Sequence, residues 1–105
     1  MTTDKVATLI GFAMRAGKVV FGTDNIETCR KKYLIVFDGT LSQNSQDKLV
    51  RNAGNVPTLR STMALIKDIT HREGCKALAL TDKQMAQAIL TNKNGSYQQV
   101  TEVKN

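Results

Sequence analysis

The residues best suited to chemistry in this chain follow a short apolar segment near the N-terminus. Gly22 precedes three small polar residues, Thr23, Asp24 and Asn25, and Lys18 lies just upstream. A glycine followed by polar residues at the start of a helix presents backbone N–H groups that lack a partner within the helix. The segment therefore predicts an anion-binding turn, and the formal charge of +6 makes phosphate the first ligand to consider.

Catalysis and metal binding have little support in the sequence. The segment from Gly11 to Lys18 is not a phosphate-binding P-loop, because five residues separate its glycines and Val19 occupies the position of the metal-binding serine or threonine. One histidine, His71, and two cysteines cannot complete a four-ligand zinc site without other ligand types. We therefore expect a non-enzymatic protein without catalytic residues, metal or cofactor.

Length and charge limit the class of protein. A chain of 105 residues can form one small domain with a single core. No apolar run approaches the roughly 20 residues of a membrane span, and no secretory signal is evident, so we expect a cytoplasmic protein with no membrane partner. Fifteen basic against nine acidic residues favour a nucleic acid or an acidic partner, although a solvated surface is an equal alternative. The few aromatic residues argue against a single-strand binder that stacks bases.

Helical and strand patterns alternate along the chain. Two runs, YLIVF at 33–37 and KALAL at 76–80, are apolar throughout, which predicts strands buried on both faces of a sheet and an α/β fold. A polar tail from about residue 92 is expected to be loosely ordered, with at most a brief element around 97–103. Short strands are predicted at 19–21 and 58–60, and helices are predicted to start at Thr2 or Thr3, Gly22, Ser42 or Asn44, Ser61 and a capping box in Thr81–Gln84.

Three connections in this order of elements could meet at one edge of the sandwich. They are the turn at Gly22 and the predicted loops 38–43 and 71–75. Loops that converge in this way could hold a shaped RNA, because structured RNA is recognised largely by shape and by its backbone. Three ordinary surface connections are the alternative.

Five short segments occur in a characteristic order along the chain: LIGFAMRAGKVVFG, LIVF, SQNS, VP and LALTD, of which AMRAGKVVFG is the specific part. In this order they resemble the L-seven-Ae family of ribosomal and ribosome-associated proteins, which bind kink-turn RNA. The resemblance covers about 9–90, and within the family the chain is most similar to the small bacterial YlxQ-like members. It implies a three-layer α/β/α sandwich around a small mixed four-stranded sheet.

The resemblance also implies a set of RNA-binding residues. Gly22 and Thr23 match the family's turn, and Asp24 and Asn25 occupy its acidic and amide pair in reversed order. Thr28 stands where a lysine is common in the family, with Lys31 close by. In the loop after the second strand, where the family usually carries an acidic pair, this chain has Gly39 and Thr40 with Asp38 just before them. The third loop, 71–76, matches the family in position and supplies Arg72, Cys75 and Lys76. Lys18 joins this set as the predicted phosphate contact beside the Gly22 turn.

We therefore expect a single domain over 1–105 that binds kink-turn-like structured RNA, ribosomal or messenger, with the ribosome as a further partner. The alternative is a protein-interaction module on the same fold whose RNA-binding edge is degraded. The retained glycine turn and the basic charge favour RNA, whereas the altered contact residues favour the protein partner.

Overall fold

The computed structural model describes residues 4–100, in which five helices alternate with five strands. The helices are α1 (Lys5–Arg15), α2 (Thr23–Thr28), α3 (Gln43–Ala53), α4 (Ile66–Thr70) and α5 (Lys83–Asn92). The strands are β1 (Val19–Phe21), β2 (Leu34–Asp38), β3 (Thr58–Ser61), β4 (Ala77–Leu80) and β5 (Tyr97–Gln99).

The strands form one mixed sheet in the order β1-β4-β2-β3-β5. β2 and β3 are parallel, and the remaining pairs are antiparallel. Every residue of β2 and β4 is buried, as the uninterrupted apolar runs predict for strands covered on both faces. The predicted α/β sandwich is confirmed, but the sheet has five strands rather than four, because β5 adds an edge strand beside β3.

Helices cover both faces of the sheet. Because successive side chains of a strand point to opposite faces, β2 supplies Leu34 and Val36 to one core and Ile35 and Phe37 to the other. The first core lies under α1, α4 and α5, and the second lies under α2 and α3. The result is the expected three-layer α/β/α arrangement.

In three of the helices, the side chain of the residue just before the helix caps its start. The carboxylate of Asp4 accepts a hydrogen bond from the Ala7 N–H at 3.1 Å and starts α1, whereas the predicted caps Thr2 and Thr3 lie outside the described residues. Ser42, rather than Asn44, caps α3 by accepting from the Ser45 N–H. Each cap satisfies a backbone donor that the helix itself leaves free.

The start of α5 corrects the predicted capping box. Asp82 is the cap, and its carboxylate accepts from the Met85 N–H at 3.0 Å. The helix therefore begins one residue later than a box starting at Thr81 requires, and Gln84 is not in the position that would complete it.

The segment expected to be a loose tail is attached to the body by Tyr97. Its ring is buried, and its hydroxyl donates to the Asp4 carboxylate at the start of α1. Burial, followed by the hydrogen bond to Asp4, raises the pKa of Tyr97 above its ordinary value. The pairing of β5 with β3 and this bond order the chain as far as Val100, whose N–H donates to the Thr58 carbonyl.

Candidate nucleic-acid interface

The candidate site lies at the end of the sheet where β1, β2 and β3 finish and β4 begins, here called the loop end. The antiparallel register pairs Phe21 with Leu78 and Phe37 with Ala77, which places the ends of β1 and β2 beside the start of β4. The parallel register places Ser61, the end of β3, beside the end of β2. The predicted convergence of the three connections therefore has a structural basis in strand pairing.

The turn at Gly22 has the backbone conformation that requires glycine. Its φ of 89° and ψ of 148° lie in a region that residues with a Cβ rarely adopt. The Gly22 N–H donates to the Ala77 carbonyl at 3.0 Å, which anchors the turn to β4. Within residues 4–100 no side chain caps α2, so the N–H groups of its first turn lack a side-chain acceptor. Because α2 has only six residues, its contribution comes from these local donors rather than from a long helix dipole.

An open cavity of about 360 Å³ joins the Gly22 turn to the third loop. The turn contributes Gly22 and its three polar neighbours, and the third loop contributes Gly74 and Lys76. Leu41, from the connection after β2, and Ala77 complete the lining. Backbone donors, an acid–amide pair and a lysine thus surround one concave surface, which suits the phosphate and base edges of a folded nucleic acid.

Asn25 is exposed in this cavity but is already partly engaged. Its Nδ2 donates to the Phe21 carbonyl at 2.9 Å, across the Gly22 turn. An amide group has two donor hydrogens and an acceptor oxygen, so capacity remains for a second partner. Asn25 therefore stabilises the turn and presents polar atoms beside it.

Asp38 is not in a loop, and the expectation that it contacts RNA is corrected. It ends β2 and is only 1 % exposed. Its carboxylate accepts from the N–H and hydroxyl of Thr40 and, at 2.7 Å, from the Ile66 N–H. This last bond starts α4, so Asp38 performs the capping role predicted for Ser61, which lies in β3 instead.

The exposed residues after Asp38 open onto a neighbouring crevice. Gly39 and Thr40 line a cavity of about 420 Å³ together with residues 60–65 that follow or end β3. The loop expected to form one cradle with the Gly22 turn is therefore divided: Leu41 faces the first cavity, whereas Gly39 and Thr40 face the second.

The third loop supplies the positive charge at the loop end. Arg72 and Lys76 are exposed, and neither has a carboxylate within ion-pair distance among the described residues. The acidic residue between them, Glu73, pairs with Lys67 at 3.9 Å. Cys75 is only 9 % exposed and its thiol contacts the Ala77 carbonyl, so the expectation of an RNA contact through this side chain is also corrected.

Three predicted contact residues lie towards the opposite end of the sheet. Lys18 directly precedes β1, and its carbonyl accepts a hydrogen bond from the Thr81 N–H. Lys31 lies between α2 and the start of β2. Thr28 ends α2, where its hydroxyl donates to the Asn25 carbonyl at 3.2 Å. At about 3.3 Å per strand residue, β1 separates the Lys18 backbone from Gly22 by about 13 Å.

Sequence reasoning missed three residues that shape the loop end. Phe21 lies under the guanidinium of Arg72, with 4.2 Å between the Arg72 Cζ and the ring centroid. Leu41 and Gly74 line the first cavity. The position of Phe21 directly before Gly22 was the available signal, but its partner is about fifty residues away in the chain.

Comparison with known proteins supports the fold and does not identify a function. No protein-family model matches the chain, and no curated protein matches it by sequence. A solved structure of a protein of unknown function from Bacillus halodurans is similar, with a TM-score of 0.75 and 14 % sequence identity over 85 % of this chain and 96 % of that one. Within residues 4–100 no helix is long and apolar enough to cross a membrane, and no cluster of three or more candidate metal ligands occurs.

Proposed function

We propose that this protein is a non-enzymatic RNA-binding protein of the cytoplasm that recognises kink-turn-like structured RNA, ribosomal or messenger, through the first cavity at the loop end. The observation that supports the proposal most directly is the cavity itself, which joins the uncapped Gly22 turn to Lys76 of the third loop. The resemblance of the AMRAGKVVFG segment to the kink-turn family agrees with this assignment.

The residues that line the first cavity suit both the backbone and the bases of an RNA. Lys76 and the free N–H groups at the start of α2 suit phosphate oxygens, because charged and backbone donors position a nucleic acid without reading its sequence. Asp24 and Asn25 suit base edges, since a carboxylate accepts and an amide both donates and accepts. A folded RNA with displaced bases offers both kinds of group together.

A direct binding comparison tests the proposal. We expect fluorescence anisotropy at moderate salt to show tighter binding of a kink-turn RNA than of a plain duplex of equal length. Reversing the charge at the cavity with Lys76→Glu should weaken binding strongly, whereas Lys83→Glu, on the exposed side of α5, should do so much less.

Two outcomes contradict this assignment. Equal affinity for the two RNAs overturns kink-turn recognition and leaves a general RNA binder. Binding to neither RNA overturns the RNA function and favours the protein-interaction module.

A further inference from the structure

Two arginines on one side of the molecule are stacked on phenylalanine rings. The Arg15 Cζ lies 5.0 Å from the centroid of Phe12, and the Arg72 Cζ lies 4.2 Å from that of Phe21. Both arginines are exposed. Stacking occupies the face of a guanidinium and leaves the donors at its edge directed outward, which suits it to bidentate contact with phosphate.

One of these two arginines, Arg15, lines a groove between α1 and α4. Its volume is about 550 Å³. Ala7, Gly11 and Met14 from α1 line it, with Arg15 on the same helix and Asp68 and His71 on the α4 side. Arg72 lies outside the lining but directly follows His71, and the chain then continues to Gly74 and Lys76, which line the first cavity at the loop end.

Gly11 keeps this groove open. A Cβ built at Gly11 meets no atom within 4 Å, so packing inside the described fold does not require glycine there. Glycine is nevertheless among the poorest helix formers, and an alanine would favour α1 more. The missing side chain gives a ligand backbone close access to α1.

We propose that the α1–α4 groove is a second RNA-contact surface, which holds the phosphodiester backbone of a strand extending from the RNA bound at the loop end. The two guanidiniums carry the charge that attracts phosphates, and neither has a carboxylate within ion-pair distance in the part of the chain that the structure describes, although Asp68 also lines the groove. Met14 and the partly buried Ile69 offer apolar contact to ribose. The inference extends the proposed RNA function but does not depend on kink-turn specificity.

The salt dependence of binding measures these phosphate contacts. Three RNAs are compared: a plain duplex, a kink-turn RNA with a short stem, and a kink-turn RNA whose stem is longer by one helical turn. We expect the wild-type protein to bind the RNA with the longer stem more tightly than the RNA with the short stem. Arg15→Ala and Arg72→Ala should each remove this gain in affinity. Each should also lower the slope of log affinity against log salt concentration by about 0.7–0.9. Arg51→Ala, an exposed arginine on α3 across the sheet, is the matched control and should keep both properties.

Three further variants separate a specific groove from diffuse charge. Arg15→Lys keeps the charge but loses the planar donors, and should bind the extended RNA nearly as weakly as Arg15→Ala. Asp68→Asn removes the negative charge in the groove and should strengthen binding. Gly11→Leu fills the groove and should remove the gain from the extended stem, whereas folding, followed by thermal melting, should remain intact.

The outcomes distinguish the groove from the loop-end site. If Arg15→Ala behaves like Arg51→Ala, the groove proposal is overturned whatever the kink-turn result. If duplex and kink-turn RNA bind equally while the Arg15 effects persist, kink-turn recognition fails and the groove stands. If the wild-type protein binds none of the RNAs, both proposals fail.

Discussion

Two turns at the same end of the sheet contain similar polar residues, which are buried and hydrogen-bonded in one turn and exposed in the other. At the end of β2, where the chain turns over residues 38–41, the carboxylate of Asp38 is buried, and each of its oxygens accepts a hydrogen bond from within the fold. In the turn after β1, residues 22–25, Asp24 and Asn25 are exposed and line an open cavity. An acidic residue at the end of a strand is therefore available to a ligand only when no neighbouring element binds its oxygens.

The largest expected effect is that of Asp38→Ala on folding. The substitution leaves the buried N–H of Ile66 and that of Thr40 without their acceptor, and an unsatisfied buried donor costs about 1–3 kcal/mol. We expect the free energy of unfolding in urea to fall by about 3 kcal/mol. Asp24→Ala is the matched control and should change it by less than about 0.5 kcal/mol, because Asp24 is exposed. An equal loss in the two variants would remove the distinction between the turns.

Gly22→Ala should have the next largest effect, and it tests whether the open turn is held by backbone conformation. A Cβ at Gly22 meets no atom within 4 Å, so the cost is conformational rather than steric packing. We expect a loss of about 1–3 kcal/mol in unfolding free energy, because the observed φ of 89° is strained for other residues. Gly39→Ala is the control, since Gly39 does not have a positive φ. An unchanged unfolding midpoint for Gly22→Ala would show that the turn adopts another backbone conformation without loss of stability.

Asn25→Ala should affect RNA recognition more than folding. Losing its exposed hydrogen bond to the Phe21 carbonyl should lower the unfolding free energy by about 0.5–1 kcal/mol. A lost base contact should reduce the preference for kink-turn RNA over duplex by about 1–3 kcal/mol, by analogy with DNA readout. Thr28→Ala, at the far end of α2, controls for changes in the helix. A loss of stability with unaltered RNA preference would assign Asn25 to the turn alone.

The smallest expected effect separates Lys76 from Lys18. Lys76 lines the cavity, so Lys76→Ala should lower the log–log salt slope of RNA binding by about 0.7–0.9. Lys18 lies at the other end of β1, and Lys18→Ala should leave the slope nearly unchanged. The reverse order of effects would mean that RNA crosses the edge of β1 rather than occupying the cavity at the loop end.

Local patterns determined much of the architecture. The uninterrupted apolar runs predicted β2 and β4 as strands covered on both faces, because each strand must bury both sets of alternating side chains. Gly22 indicated the turn before α2, since glycine tolerates the positive φ found there. These features depend on residues that are close in sequence, and sequence alone can therefore specify them.

Tertiary structure decided which polar residues are available for binding. The pairing of β4 with β1 brought Gly74 beside the Gly22 turn. Tertiary structure also placed the Asp38 carboxylate at the start of α4, where the Ile66 N–H needed an acceptor. Such contacts join residues that are far apart in sequence, so they follow from the register and layering of the sheet, which local periodicity does not encode.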